Sequence, residues 1–167
     1  MTELWPHIAI LAFVTAQRLI ELPIARANTA RLLAAGGREV APGHYPYIVA
    51  LHAAWLACLW WFALGRPIHI GLLILFGLVE LSRVWVLRTL GPRWTTRIVI
   101  VPGERLVARG PYRFVDHPNY LVVIAELLIL PLVFGLWQVA LIFSLLNALI
   151  LTVRIRAENR ALESLSS

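Results

Sequence analysis

The sequence predicts an all-α integral membrane fold of about five transmembrane helices, the last two a short helical hairpin. Three observations carry this. First, the 167 residues are 60% hydrophobic and only 14% charged. Soluble domains run at roughly 45–50% apolar, and the mean hydropathy here is +0.77. Second, the apolar residues fall into runs long enough to cross a ~30 Å hydrocarbon core. Third, all 15 basic residues are arginines, and most lie between the apolar runs. A net charge of +6 could suggest nucleic acid, but the positive-inside rule explains this spacing more simply, and no nucleic-acid partner is expected.

The first span runs from Leu4 to about Ala25. Gln17, Arg18 and Glu21 interrupt it before any small-residue cleavage site, so a cleaved signal peptide is not expected. Arg18 and Glu21 stand three apart, on one helical face, as a mutual pair or as the lining of a polar cavity. A polar loop follows, with Gly36-Gly37 and Pro42-Gly43 marking turns. The second span, 44–64, opens on His44 and Tyr45. Trp55, Trp60 and Trp61 crowd its far half, as they do near a membrane surface. His52 lies in its apolar stretch, where a histidine is more often a hydrogen-bonded packing residue than a ligand. No His or Cys stands at helical ligand spacing to it, so no metal site is expected. The lone Cys58 excludes a disulfide framework within the chain.

The third span, 68–87, carries Glu80 and Arg83, again three apart. Residues 88–119 form the long polar section. Within it, Arg97–Val101 and Arg105–Val107 predict a small hairpin across Pro102-Gly103. The apolar stretch 120–153 is divided by Pro131 and Gly135 into two arms of about 15–17 residues, short for full spans. Glu126 lies in the first arm and Asn147 in the second. Residues 154–167 read as an amphipathic C-terminal helix. The whole of 1–167 is one domain.

Arginine counting predicts topology. Segments 26–43, 88–119 and the C-terminus are Arg-rich, whereas 65–67 and 134–138 are not. Five spans then leave the N-terminus outside and gather the Arg-rich segments on the cytosolic side; the Arg-only, Ala- and Leu-rich composition points to a bacterial source, and so to an inner membrane. The central loop and the C-terminal helix thereby meet at one face.

That meeting point holds the chemistry. The segment Gly110-Pro111-Tyr112-Arg113-Phe114-Val115-Asp116-His117-Pro118-Asn119-Tyr120 is polar, aromatic and turn-rich in an otherwise apolar chain. Pro111 and Pro118 each fix φ and hold the preceding residue out of the helical region. A plain connector would use similar residues. Tyr112, His117, Asn119 and Tyr120 nevertheless converge with Arg154 and Glu158, which stand four apart on one helical face. Arg154 and Glu158 alone would make an ordinary surface ion pair. Together the set suits a small zwitterionic cofactor. A carboxylate can hold an amine or ribose hydroxyls, a guanidinium an anion, and aromatic faces a cationic sulfonium. Neither a dinucleotide fingerprint nor a P-loop is present, and no serine sits in a nucleophile elbow.

The pattern Gly110-x-Tyr112…His117-Pro118-Asn119-Tyr120, then an apolar hairpin, then Arg154…Glu158…Leu162, resembles the isoprenylcysteine carboxyl methyltransferase family of membrane methyltransferases. Leu90-Gly91, Trp94-Thr95 and Leu106-Val107 also match. The likeness is strong over roughly 78–163. Arg18, Glu21 and Gly43-His44-Tyr45-Pro46 resemble a bacterial subgroup, and Asn119-Tyr120-Leu121 with Glu126 resembles the subgroup found alongside type III polyketide synthases.

The resemblance implies S-adenosyl-L-methionine as cofactor, in a cytosol-facing pocket without a Rossmann domain. It implies that Leu106, Val107, Tyr112, His117, Pro118, Asn119, Tyr120 and Glu158 line that pocket and that Arg154 contacts the acceptor. It also implies O-methylation of a lipophilic phenol, quinol or pyrone delivered from the membrane lipid. Isoprenylcysteine carboxylates and phospholipid amines are alternative acceptors. A phenol needs help losing its proton. Arg154 is the expected phenolate partner, with His117 or Glu126 as base and Glu126 as a second substrate contact. Two departures stand out: Asp116 replaces the family's usual Arg before His-Pro, and Glu158-Asn159 replaces its Glu-Glu. A scaffold or small transporter built on the intramembrane charges is the non-enzymatic alternative.

Overall fold

The computed structural model describes residues 3–104 and 107–166, with side chains through Ala161. It is an all-α integral membrane fold with five helices: α1 (Trp5–Ala34), α2 (Tyr45–Phe62), α3 (Ile70–Leu90), α4 (Pro118–Val133) and α5 (Trp137–Ser166). Four are long and apolar enough to cross a membrane, and α4 is shorter. Large apolar side chains face outward all round the bundle. Trp61 is 82% exposed, and Leu81 and Leu149 are each 67% exposed. In water such a surface would drive aggregation, whereas in lipid it is the required exterior.

Two helices outrun their sequence-predicted ends. The first continues past Ala25 to Ala34, with Pro23 inside it. It stops where Gly36 takes φ +87° and the Gly37 N–H reaches back to the Leu32 carbonyl at 2.9 Å. A Cβ on Gly37 would stand 2.6 Å from that oxygen, so the helix end needs glycine. The second is α5. The expected short arm and separate C-terminal helix are one continuous helix of 30 residues. Nothing between Thr152 and Arg156 breaks a helix, and the change from apolar to charged marks where α5 leaves the membrane. Only α4 is a short arm. It ends near Pro131, and Gly135 (φ +68°) turns the chain back.

The first arm of the expected hairpin, Arg97–Val101, contains a short strand. Val99–Ile100 (β2) pairs antiparallel with Arg38–Glu39 (β1), Arg38 opposite Ile100 and Glu39 opposite Val99. The proposed second arm includes Arg105 and Leu106, which lie outside the described residues. Arg97 fixes the observed pairing. Its Nη1 donates to both Glu39 carboxylate oxygens, at 2.7 and 2.9 Å, and its guanidinium lies 4.4 Å from the Tyr45 ring centroid.

The core is apolar and lies toward the end opposite the arginine-rich loops. It includes Leu11, Val14, Trp55, Leu59, Leu127, Leu130 and Phe134, all buried. By contrast, α1 meets α3 through a polar seam. Gln17 donates to Glu80 at 2.8 Å. Arg83 holds Glu21 with Nε at 2.7 Å and with Nη2. Asn28 donates to the Gly91 and Trp94 carbonyls, and Arg31 to the Pro92 carbonyl. Along this seam both partners' numbers rise together, so the two helices run parallel. Glu80 is thus held by Gln17 rather than by its sequence neighbour Arg83.

Candidate active site

The site is assembled where α4 begins and α5 emerges from the bundle. Gly110 adopts φ +58°, and a Cβ there would stand 2.6 Å from the Thr89 hydroxyl. Only glycine lets the Gly110–Arg113 3₁₀ turn sit against the end of α3. Pro111 is buried beneath it. His117 then caps α4 and Pro118 starts it, as proline does well at a first helical position. These constraints aim Tyr112, His117, Asn119 and Tyr120 into one cleft.

Tyr120 is its centre. The Tyr120 hydroxyl donates to Glu158 Oε2 at 2.7 Å and accepts from Arg154 Nε at 2.9 Å. Arg154 also donates through Nη2 to the Thr96 carbonyl at 2.8 Å. The His117 and Tyr120 rings stack, centroids 5.1 Å apart and planes 17° from parallel. His117 Nδ1 lies 3.8 Å from Glu158 Oε2. Arg154 and Glu158 are therefore linked through Tyr120 rather than as a simple surface ion pair. Tyr112 stands nearby. Burial, then the negative charge of Glu158, pushes its hydroxyl up to about 12. It stays a neutral hydrogen-bond donor at physiological pH.

The cleft measures about 950 Å³ and is lined by Val107, Tyr112, His117, Asn119, Tyr120, Arg154 and Glu158 together with the 97–101 strand segment. That volume lies within the range of about 300–1,000 Å³ usual for small-molecule and cofactor sites. The donor set fits S-adenosyl-L-methionine by its chemistry. It offers a carboxylate for an amine or ribose hydroxyls, a stacked aromatic pair for a sulfonium, and neutral donors for polar edges.

Most of the sequence-predicted site residues thus come together. Pro118 is buried at the head of α4, between the lining residues His117 and Asn119. Leu106 and the Leu162 side chain lie outside the described residues. Glu126 sits elsewhere. It is fully buried in the bundle, where Arg83 Nη1 donates to both its oxygens at 2.9 and 3.0 Å and Arg18 donates to Oε2. Thr96 was missed. It contributes a backbone carbonyl, which no side-chain pattern can signal.

A helical membrane bundle with a polar cleft built from its central loop and last helix defines a membrane methyltransferase once the comparisons are added. The Isoprenylcysteine carboxyl methyltransferase (ICMT) family matches residues 71–164, and the chain belongs to that family. It is also similar to a Bacillus subtilis (strain 168) protein named "Uncharacterized protein YpbQ". The two are 36% identical over 170 residues, covering 94% of this chain and 96% of the relative. No solved structure matches the chain.

Proposed function

We propose that this protein transfers a methyl group from S-adenosyl-L-methionine to an oxygen of a lipophilic acceptor, with a long-chain phenol, quinol or pyrone hydroxyl as the favoured class. The observation that carries this is the Tyr120 hydroxyl bridging Arg154 and Glu158. It ties an anion-binding group to a carboxylate at the boundary between a polar cleft and an apolar bundle.

In this reading Val107, Tyr112, His117, Asn119 and Tyr120 wall the cofactor cleft, with Pro118 between two of them in sequence. Glu158 holds the cofactor's amine or ribose hydroxyls. The cofactor supplies an activated methyl group, so the chain's own task is alignment and exclusion of water. Arg154 is rigidly held by Tyr120 and Thr96 and keeps further N–H donors for an acceptor oxygen. Glu126, with two guanidiniums on its carboxylate, supports the helices that carry the site. The arginine-rich end, and the cleft with it, faces the cytosol of a bacterial inner membrane. The acceptor arrives from the lipid.

The test supplies labelled S-adenosyl-L-methionine and a host lipid extract to membranes containing the protein or its Glu158→Ala variant. Glu158-dependent label in the organic phase is the expected result. Mild base then separates a labile methyl ester, as an isoprenylcysteine carboxylate would give, from a stable ether. Absence of both label and cofactor binding would refute the enzyme reading and favour a scaffold or transporter.

A further inference from the structure

We infer that a second pocket, between the ends of α1 and α3, binds the phosphate of an anionic phospholipid headgroup. It measures about 660 Å³ and lies beside the cleft of the candidate active site, with Arg93, Glu104 and Val107 bordering both. Its own lining includes Arg31 from α1, Thr89 and Leu90 from α3, and Arg109 from the loop before Gly110. Among the described residues its charges are three guanidiniums against one carboxylate. Glu104 accepts from Arg93 Nη2 at 2.7 Å, so the surplus positive charge rests on Arg31 and Arg109.

Both arginines are anchored to the backbone at the helix ends. Arg31 Nη2 donates to the Pro92 carbonyl at 2.7 Å and to Asn28 Oδ1 at 2.9 Å. Arg109 Nη2 donates to the Thr89 carbonyl at 3.4 Å, where Gly110 lets the loop sit against α3. In each, Nε and Nη1 have no hydrogen-bond partner among the described residues. A planar fork held at one nitrogen and open at the others matches the oxygens of a phosphate. Anchoring also lessens the rotamer freedom lost when an anion binds.

The neighbouring surface selects a lipid over a free anion. Leu81, Trp85 and Thr89 stand four apart on one face of α3. Leu81 and Trp85 are exposed, and Thr89 lines the pocket. An apolar stripe therefore runs along the outside of the bundle and ends at the arginines. Trp85 lies about 6 Å along the helix from Thr89, and tryptophan favours the level of the headgroups. A phospholipid on this face puts its acyl chains along Leu81 and Trp85 and its phosphate among Arg31, Arg93 and Arg109. Basic pockets between helices at a membrane surface hold headgroups in this way.

The experiment titrates the detergent-solubilised full chain with phosphatidylglycerol or with phosphatidylcholine of the same acyl chains. Native mass spectrometry reads the affinity of the first bound lipid. Wild type is compared with the Arg31→Gln/Arg109→Gln double variant, with Arg109→Gln alone and with Arg38→Gln. Arg38 is exposed on β1 at the same end and outside the pocket. Wild type should hold phosphatidylglycerol about tenfold or more above phosphatidylcholine. The double variant should lose about thirtyfold and Arg109→Gln about fivefold, the usual worth of arginines at an anionic membrane surface. Arg38→Gln should bind as wild type does. Melting in detergent reports folding, and Arg109→Gln carries the test if the double variant does not fold. An equal loss in Arg38→Gln would show diffuse surface charge and overturn the site. Equal binding of the two lipids, or unchanged affinity in Arg109→Gln, overturns it as well. Displacement of the lipid by an equimolar amount of inorganic phosphate would make this a site for soluble phosphate and overturn the lipid assignment. No arm uses the cofactor, so the outcome is independent of the methyl-transfer reading.

Discussion

Tyr120 places one hydroxyl between two residues of the next helix, 2.9 Å from Arg154 Nε and 2.7 Å from Glu158 Oε2. Because it donates to one and accepts from the other, it orients the guanidinium and the carboxylate together. Replacing Tyr120 with Phe keeps the ring that stacks on His117 and removes only this link. Each hydrogen bond to a charged group is worth about 1.5–3 kcal/mol. Tyr120→Phe should therefore lower both cofactor affinity and turnover, by about tenfold or more. Combined with Glu158→Gln, the losses should be less than additive. Full additivity in a double-mutant cycle would show that the bridge does not couple the two residues.

Arg154 is held at two points, Tyr120 and the Thr96 carbonyl, by different nitrogens of its planar fork. Lysine carries the charge but not the fork. Arg154→Lys should therefore leave cofactor binding nearly intact and lower kcat by about 10²-fold, the scale associated with misplacing a reacting group by an ångström. Unaltered turnover in a labelled-methyl assay would remove Arg154 from acceptor alignment.

Glu126 balances two guanidiniums, from the part-buried Arg18 and the buried Arg83. Glu126→Ala leaves both cations short of a partner inside the bundle. Breaking a buried ion pair in this way costs about 3–5 kcal/mol. The variant should melt well below wild type in detergent, and Glu126→Gln should recover part of the loss. Wild-type melting with abolished turnover would instead return Glu126 to a direct chemical role.

Tyr112 gives a pH dependence with a definite sign. Its hydroxyl titrates at about 12 in the folded chain against the ordinary 10.0. Between those values the unfolded chain has lost this proton and the folded chain keeps it. The contribution to stability is therefore complete below about pH 10 and is lost as pH rises toward 12. Melting temperatures measured across this window should fall more steeply for wild type than for Tyr112→Phe. Parallel curves would mean that Tyr112 titrates as an exposed tyrosine.

Much of the architecture was legible because lipid imposes a one-dimensional rule. Apolar runs of sufficient length become spanning helices, and Pro131 and Gly135 turn the chain between α4 and α5. The convergence of Tyr112, His117, Asn119 and Tyr120 with Arg154 and Glu158 followed from the same rule, since loop parity brings 88–119 and the C-terminal segment to one face. Helix ends were less legible. The first helix carries its polar residues 26–34 beyond the apolar run, because helical hydrogen bonding continues until Gly36 and Gly37 stop it.

The sequence by itself determined that this is a membrane helix bundle, which segments share an end, and which polar and aromatic side chains are present there. These follow from hydropathy, turn chemistry and arginine placement, all of which are local. Only the tertiary structure decided the pairings. Glu126 went to Arg18 and Arg83 rather than to the cleft, and Glu80 to Gln17 rather than to Arg83. Strand 99–100 paired with residues 38–39. The reason is physical. A hydrogen bond or ion pair is satisfied by whichever partner the packing of whole helices brings within reach, and that partner's distance along the chain leaves no mark in either residue's neighbourhood.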